Sequence, residues 1–134
     1  MILPPGTVVV VADGTTLKLF RNRGTEPKLD LVEFDHAAIT PVNPGSGSRH
    51  HSELSNPDPH RQAEDGFAVA SANFLNRLAL DGSLEGLFVI ADPRTLGELR
   101  KHFHGTLQAK ILGEISKDLT DHPVHDIGIA IRHA

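Results

Sequence analysis

The first third of the chain alternates between apolar runs and turn residues. Residues 7–12 are mostly β-branched, which is typical of a strand buried on both faces. The pair Asp13-Gly14 favours a two-residue hairpin with positive φ at both positions. Residues 15–20, and residues 28–34 after a second turn, alternate apolar and polar side chains. We therefore predict an antiparallel meander of three strands.

The second half alternates helix and strand patterns. A long helix is predicted with Asp58 as its N-cap, Pro59 at its first position and its end near Leu80, where Asp81-Gly82 stops it. The later elements are a strand over 86–91, a helix over 93–103, a short helical piece over 106–110, a strand over 111–115 and a helix over 123–132. That last helix is expected to bury four aliphatic residues: Val124, Ile127, Ile129 and Ile131.

This order, βββ-loop-αβαβα, predicts an α/β fold with a mixed five-stranded sheet and helices on its faces, like the ribonuclease-H-type layout. Strands separated by helices pair in parallel through right-handed crossovers, whereas the first three pair antiparallel. The first and fourth strands are then parallel neighbours. A length of 134 residues suits a single domain, residues 1–134.

Residues 40–59 separate the two halves and are rich in Pro, Gly, Ser, Asn and His. A polar segment of this length is either disordered or a functional loop, and a loop that orders on binding would be both. Its candidate binding residues are Arg49, His50 and His51.

Composition narrows the function classes. Without cysteine there is no disulfide framework, thiolate zinc site or thiol nucleophile. No stretch approaches the roughly 20 apolar residues of a membrane span, and the N-terminus lacks a basic region before its two prolines. We therefore expect no signal peptide and a cytoplasmic protein. A net charge of −4 and a pI of about 6.1 give no global basic field for nucleic acid.

Two carboxylates follow directly on the strands predicted to be parallel neighbours, Asp13 after the first and Asp92 after the fourth. At a shared sheet edge they could hold Mg²⁺ for phosphodiester hydrolysis. The alternative is that Asp13 belongs to a hairpin and Asp92 caps the helix beginning at Pro93. We favour the turn-and-cap interpretation, because no spacing compels further carboxylates to join them; those available are Glu64, Asp65 and Asp118.

Histidines occur in three pairs, at positions 50/51, 102/104 and 122/125. No His-Glu-x-x-His or other metal signature accompanies them, so we predict neither a metal site nor a cofactor. Arg94, Arg100 and Lys101 form a positive stretch along one predicted helix. The stretch could meet an anion or RNA phosphate, or be a solvated helix face.

Several blocks in order along the chain resemble the host-attachment protein family, whose members are described as required for attachment to host cells. These blocks are residues 11–14 with 19–20, residues 58–64, residues 93–100, and residues 117–120 with 122–124. The resemblance covers nearly the whole chain.

That family is similar, more distantly, to the middle domain of eukaryotic and archaeal peptide-chain release factors and their ribosome-rescue relatives. In release factors, the loop between the three strands and the long helix carries Gly-Gly-Gln, which enters the peptidyl-transferase centre. Here residues 44–51 contain no Gly-Gly, and the first glutamine is Gln62. The resemblance implies a non-enzymatic protein acting through the ribosome, RNA or a protein partner. Candidate contacts besides the loop are Arg61, Arg94, Arg100 and Lys101.

Overall fold

The computed structural model of the protein describes residues 1–42 and 59–134. Three candidate binding residues of the loop, Arg49, His50 and His51, and the predicted N-cap Asp58 lie outside the described residues.

Five strands form one mixed sheet in the order β3-β2-β1-β4-β5. β1 is antiparallel to β2, and β2 to β3, whereas β1 is parallel to β4, and β4 to β5. The predicted α/β architecture, including the parallel neighbours β1 and β4, is confirmed. The strands are β1 (Val8–Ala12), β2 (Leu17–Asn22), β3 (Leu31–Phe34), β4 (Leu87–Ala91) and β5 (Ile111–Ser116).

The helices of the described part lie close to their predicted positions. The longest ends at Leu80, because Gly82 adopts a φ of +82° that favours glycine, and the Asp81 carboxylate accepts the Ser83 N–H at 2.9 Å. In the part of the chain that the structure describes, no helix is long and apolar enough to cross a membrane. The helices are α1 (Pro59–Leu80), α2 (Pro93–His102), α3 (Gly105–Gln108) and α4 (Val124–Arg132).

Each face of the sheet carries its own apolar core, so β1 and β4 are buried at every residue. This explains their continuous apolar sequences, since a strand covered on both faces has no polar side to alternate with. One face packs on α1, α2 and α3, through residues including Val10, Leu75, Leu99 and Leu107. The other packs on α4, through residues including Val11, Phe88, Ile127 and Ile131.

The hairpin between β1 and β2 differs from the prediction. The strand ladder ends with Ala12 opposite Leu17, and the Asp13 N–H then donates to the Thr16 carbonyl at 2.9 Å. The tip therefore begins at Gly14, one residue later than predicted. Neither Asp13 nor Gly14 has a positive φ, so the predicted turn geometry is wrong. The Asp13 side chain shapes this turn instead, as described below.

The burial predicted for α4 is half right. Ile127 and Ile131, one helical turn apart, are buried as predicted. Val124 is 43% exposed and Ile129 is 38% exposed, so those two predictions are wrong. Ile129 lies two residues from each buried isoleucine, which places it on the far side of a helix with 3.6 residues per turn. Val124 is the first residue of the helix, a full turn before the buried stripe begins.

Candidate functional site

The carboxyl ends of β1 and β4 meet at one edge of the sheet. Ala12 pairs with Ala91 in the parallel ladder, so Asp13 and Asp92 leave the sheet from neighbouring strands. This is the edge at which α/β proteins usually place their sites. The first question is therefore what these two carboxylates contact.

Asp13 accepts hydrogen bonds at both carboxylate oxygens. Its Oδ1 accepts the backbone N–H groups of Thr15 at 2.8 Å and Thr16 at 2.7 Å, and its Oδ2 accepts the Thr120 hydroxyl at 2.9 Å. Partial burial raises the pKa of Asp13, but the hydrogen bonds from these three threonines outweigh it and hold the pKa below its ordinary value of 3.8. Asp13 is thus an ionised acceptor that organises the hairpin, as aspartates commonly do in turns.

Thr120 joins this hairpin to the segment that follows β5. Its side chain is buried, and its Oγ1 lies 2.9 Å from Asp13 Oδ2 and 2.8 Å from Asp118 Oδ1. A hydroxyl has one proton, so it donates to one of the two carboxylates at a time. The Lys18 ammonium donates to the Thr120 carbonyl at 2.6 Å, which ties the same residue to β2.

Asp92 caps α2. Its Oδ2 accepts the Thr95 N–H at 3.1 Å, and Pro93 occupies the first helical position, as the cap interpretation predicts. Its Oδ1 is buried and has no partner among the described residues. Within residues 1–42 and 59–134, no group of three or more His, Cys, Asp or Glu side chains is placed to hold a metal ion. The contacts of both aspartates are those of a turn and a cap.

Arg94 ties the start of α1 to the start of α2. Its guanidinium donates to Glu64 at 3.1 Å, to Asp65 at 2.8 Å and to the backbone carbonyl of Arg61 at 3.3 Å. Glu64 lies against the hairpin tip, because a Cβ added to Gly14 would be 2.5 Å from Glu64 Oε2. Hairpin tip, α1 and α2 therefore converge at the same sheet edge.

A depression of about 260 Å³ lies between the hairpin tip and α1. Ile39, Pro41, Ala63 and Phe67 supply its apolar lining. Pro41 and Ala63 stand close in sequence to the two ends of the segment 43–58, and the Val42 N–H donates to the carbonyl of a residue in α1 at 3.1 Å. The base from which that segment leaves and returns is thus built against the carboxyl edge.

The predicted positive stretch of α2 is divided between two sides of the helix. Arg94 faces α1 and pairs with Asp65. Lys101 faces the same helix, since it interacts electrostatically with charged residues of α1, and it pairs with Glu98 at 2.8 Å. Arg100 faces β5 instead and pairs with Glu114 at 2.6 Å. The hydrogen bond with Glu98 raises the pKa of Lys101, which stays a cation at neutral pH. Each of these cations has a carboxylate partner, so α2 presents no continuous unneutralised strip.

Two buried polar residues make contacts that no sequence pattern predicted. Asn76, far along α1 from the carboxyl edge, donates to the His102 carbonyl at 2.9 Å and accepts the His104 N–H at 2.9 Å, at the end of α2. The contact of Thr120 with Asp118 could have been predicted from the sequence, because Asp118 lies two residues earlier and accepts the Thr120 N–H. The contact of Thr120 with Asp13 could not.

Residues 6–131 match a family model described as bacterial archaeo-eukaryotic release factor family 12. The chain belongs to this family. The match covers all five strands and nearly all of α4, and it confirms the release-factor-like part of the resemblance noted above. No curated protein matches the chain. The family description does not mention host attachment, which stays a prediction.

In this family-12 domain, the segment 43–58 occupies the position between β3 and α1. The resemblance to release-factor middle domains places the catalytic tripeptide of those proteins on the corresponding loop. The sequence of this segment contains no Gly-Gly-Gln. The carboxyl edge, with its turn, cap and Arg94 cluster, is accordingly a candidate base for a binding segment.

Proposed function

We propose that this release-factor-family protein binds the ribosome or its RNA without hydrolysing peptidyl-tRNA, and that residues 40–59 form the contact segment. The observation that carries the proposal is the family match over residues 6–131 in a chain whose segment 43–58 contains no Gly-Gly-Gln. The family supports a role connected with translation. The missing tripeptide supports binding rather than catalysis.

The geometry at the two ends of the segment favours a contact role. The chain enters it after Val42, which is hydrogen-bonded to α1, and leaves it at Pro59, where α1 begins. Arg94 clamps the first turns of α1 through Glu64 and Asp65. These contacts fix the base of the segment on both sides, so binding does not have to order the base.

Charge on and near the segment suits phosphate as the recognised group. Arg49 lies within it, and Arg61 lies in the first turn of α1, next to the point where the segment ends. Arginine offers a planar fork of donors that matches a phosphate with two hydrogen bonds. Since the net charge of the chain is −4, attraction to RNA has to be local.

Co-sedimentation with purified ribosomes tests the proposal. We expect the full chain to pellet with ribosomes and a deletion of residues 43–56 to abolish this. A variant in which Arg49, His50 and His51 become Gly or Ser keeps the segment length and isolates its side chains. The matched control is Arg77→Gln, which removes one exposed cation from the far end of α1. Pelleting that survives the deletion would rule out the segment as the contact, and no pelleting of the full chain would refute ribosome binding.

Two further predictions depend on this proposal. Ribosome binding requires a cytoplasmic location, which fractionation of the native cells would test. An effect on host attachment would be indirect, through the translation of other proteins. If the tagged protein instead copurified with one other protein and with no ribosomal RNA, the ribosome proposal would be wrong.

A further inference from the structure

A second surface lies at the opposite end of the sheet from Asp13 and Asp92. β2 runs antiparallel to β1, so the loop after β2, residues 23–30, lies beside the start of β1. Between this loop and the end of α4 is an open depression of about 700 Å³. We call it the basic groove, because its cationic side chains are Arg23, Lys28 and Arg132.

The loop that forms one wall is held in shape from inside the protein. Asn22 is 1% exposed, and its Oδ1 accepts the N–H groups of Gly24 and Asp30, each at 3.0 Å. Its Nδ2 donates to the Leu3 carbonyl at 3.1 Å. At Gly24 a Cβ would lie 2.6 Å from the Lys28 carbonyl oxygen, so the tight path of the loop requires glycine there.

A contact between the loop and α4 brings the third cation to the groove. Leu29 packs against the core on the α4 side of the sheet, and the nearest atom to a Cβ added at Gly128 would be Leu29 Cδ2, at 3.8 Å. Arg132, at the end of the same helix, then lines the groove together with Arg23 and Lys28. Positively charged side chains from two segments about a hundred residues apart in sequence therefore line the same groove.

The charges of the groove are not neutralised within the described part of the protein. Arg23, Lys28 and Arg132 are all exposed, and none forms an ion pair with another described residue. This contrasts with α2, where every cation has a carboxylate partner. Among the described residues, Asp30 is the only acid that lines the groove, and Glu26 lies in the same loop outside the lining, so the lining carries three cations against one carboxylate. Such an excess on a chain of net charge −4 favours a polyanionic ligand.

We propose that the basic groove binds the phosphate backbone of RNA, as a contact separate from residues 40–59. Its volume equals that of roughly twenty water molecules at about 30 Å³ each, more than one small anion would fill. None of the described residues that line it is aromatic, so this lining offers phosphate contacts and no stacking platform for bases. Binding is therefore independent of sequence. The inference rests on the proposed function only in naming RNA as the partner.

The test uses the full chain and a fluorescein-labelled 20-nucleotide poly(U), with anisotropy measured over a series of salt concentrations. The groove variant is Arg23→Gln with Arg132→Gln. The control is Arg77→Gln with Lys117→Gln, which removes two exposed cations elsewhere. Each lost phosphate contact flattens the plot of log K against log salt by about 0.7 for a single strand, so the groove variant should lose about 1.4 from its slope. Unchanged far-UV circular dichroism establishes that both variants fold.

The outcomes separate this inference from the proposed function. A smaller slope and weaker binding in the groove variant, with the control unchanged, support the groove. Equal slopes in the two variants overturn it, even if ribosome pelleting through residues 40–59 holds. Competition by poly-glutamate as strong as that by unlabelled poly(U) overturns the assignment to phosphate. Poly(U) binding through the groove without ribosome pelleting would leave this inference standing and refute the ribosome proposal.

Discussion

The buried hydroxyl of Thr120 offers a sharp test of how the carboxyl edge is held together. Replacing Thr120 with valine keeps the size and branching of the side chain and removes only the hydroxyl. The two carboxylates then lose the one proton that they share: among the described residues it is the donor to Asp13 Oδ2, whereas Asp118 Oδ1 keeps the Thr120 N–H. Thr120→Ser is the matched control, because it keeps the hydroxyl and removes a methyl group.

Hydrogen bonds to charged groups contribute about 1.5–3 kcal/mol to stability. Asp13 is only partly buried, so water replaces part of the lost bond, and we expect Thr120→Val to destabilise the fold by about 1.5 kcal/mol. With a urea dependence of about 1–3 kcal/mol per molar, the unfolding midpoint moves down by about 0.5–1.5 M. Serine should lose less, mainly from the missing methyl.

The effect should depend on pH with a definite sign. The pKa of Asp13 lies below 3.8 in the folded protein, so its ionised form contributes stability above pH 3.8. That contribution disappears as the pH falls through the folded-state pKa. Because Thr120→Val raises the folded-state pKa of Asp13, the stability difference between the two proteins should be full at pH 7 and shrink below pH 3.8.

Urea unfolding followed by far-UV circular dichroism measures the difference, since the chain has no Trp or Tyr for fluorescence. Carbon-detected NMR titration of the Asp13 carboxyl gives its pKa directly in each protein. An equal stability difference at neutral and acidic pH, or an unchanged pKa of Asp13 in Thr120→Val, would show that the hydroxyl does not stabilise this carboxylate.

Three more predictions concern the same edge. Gly14→Ala should destabilise the fold by about 1 kcal/mol in urea unfolding, because the added Cβ displaces Glu64. The loss of stability should largely vanish when Glu64 is also replaced by alanine. An equal loss with and without Glu64 would exclude this clash. Asp92→Ala should lower the free energy of unfolding by about 1 kcal/mol. Asp92→Ser should lower it by much less, because serine also caps helices. Equal losses in the two variants would contradict the role of Asp92 as a helix cap. A Mg²⁺ titration followed by amide chemical shifts should leave Asp13 and Asp92 unperturbed; saturable shifts confined to them would favour the phosphodiester hydrolase instead.

Most of the fold was predictable because its strongest signals are local. The apolar runs of β1 and β4 mark strands covered on both faces, and the connections between strands then leave few possible sheet orders. The hairpin was mispredicted because the Asp13 carboxylate competes for backbone N–H groups, which a two-residue turn pattern does not consider. The exposure of Val124 depends on where α4 begins relative to the sheet, which periodicity alone does not give.

Only the part of the site that follows from the order of the strands could be predicted from the sequence. The parallel pairing of β1 and β4 was enough to place Asp13 and Asp92 at one edge. The partner of Asp13, Thr120, is 107 positions away in sequence, so their contact exists only in three dimensions. The carboxylates that neutralise Arg94 likewise lie about thirty positions earlier. The sequence left open whether the positive stretch meets an anion or is a solvated helix face, because it does not show which carboxylates fold beside each cation.

The position of β1 and β4 has a consequence for how the domain holds together. β1 is the central strand of the sheet and β4 is its parallel neighbour, yet they come from opposite sides of the segment 43–58. Both apolar cores are also built from both halves of the chain: one contains Val10 and Leu75, and the other contains Val11 and Ile127. Among the described residues, neither half has a core of its own. A fragment that ends before the segment, or one that begins after it, would lack part of both cores, so we expect neither to fold without the other.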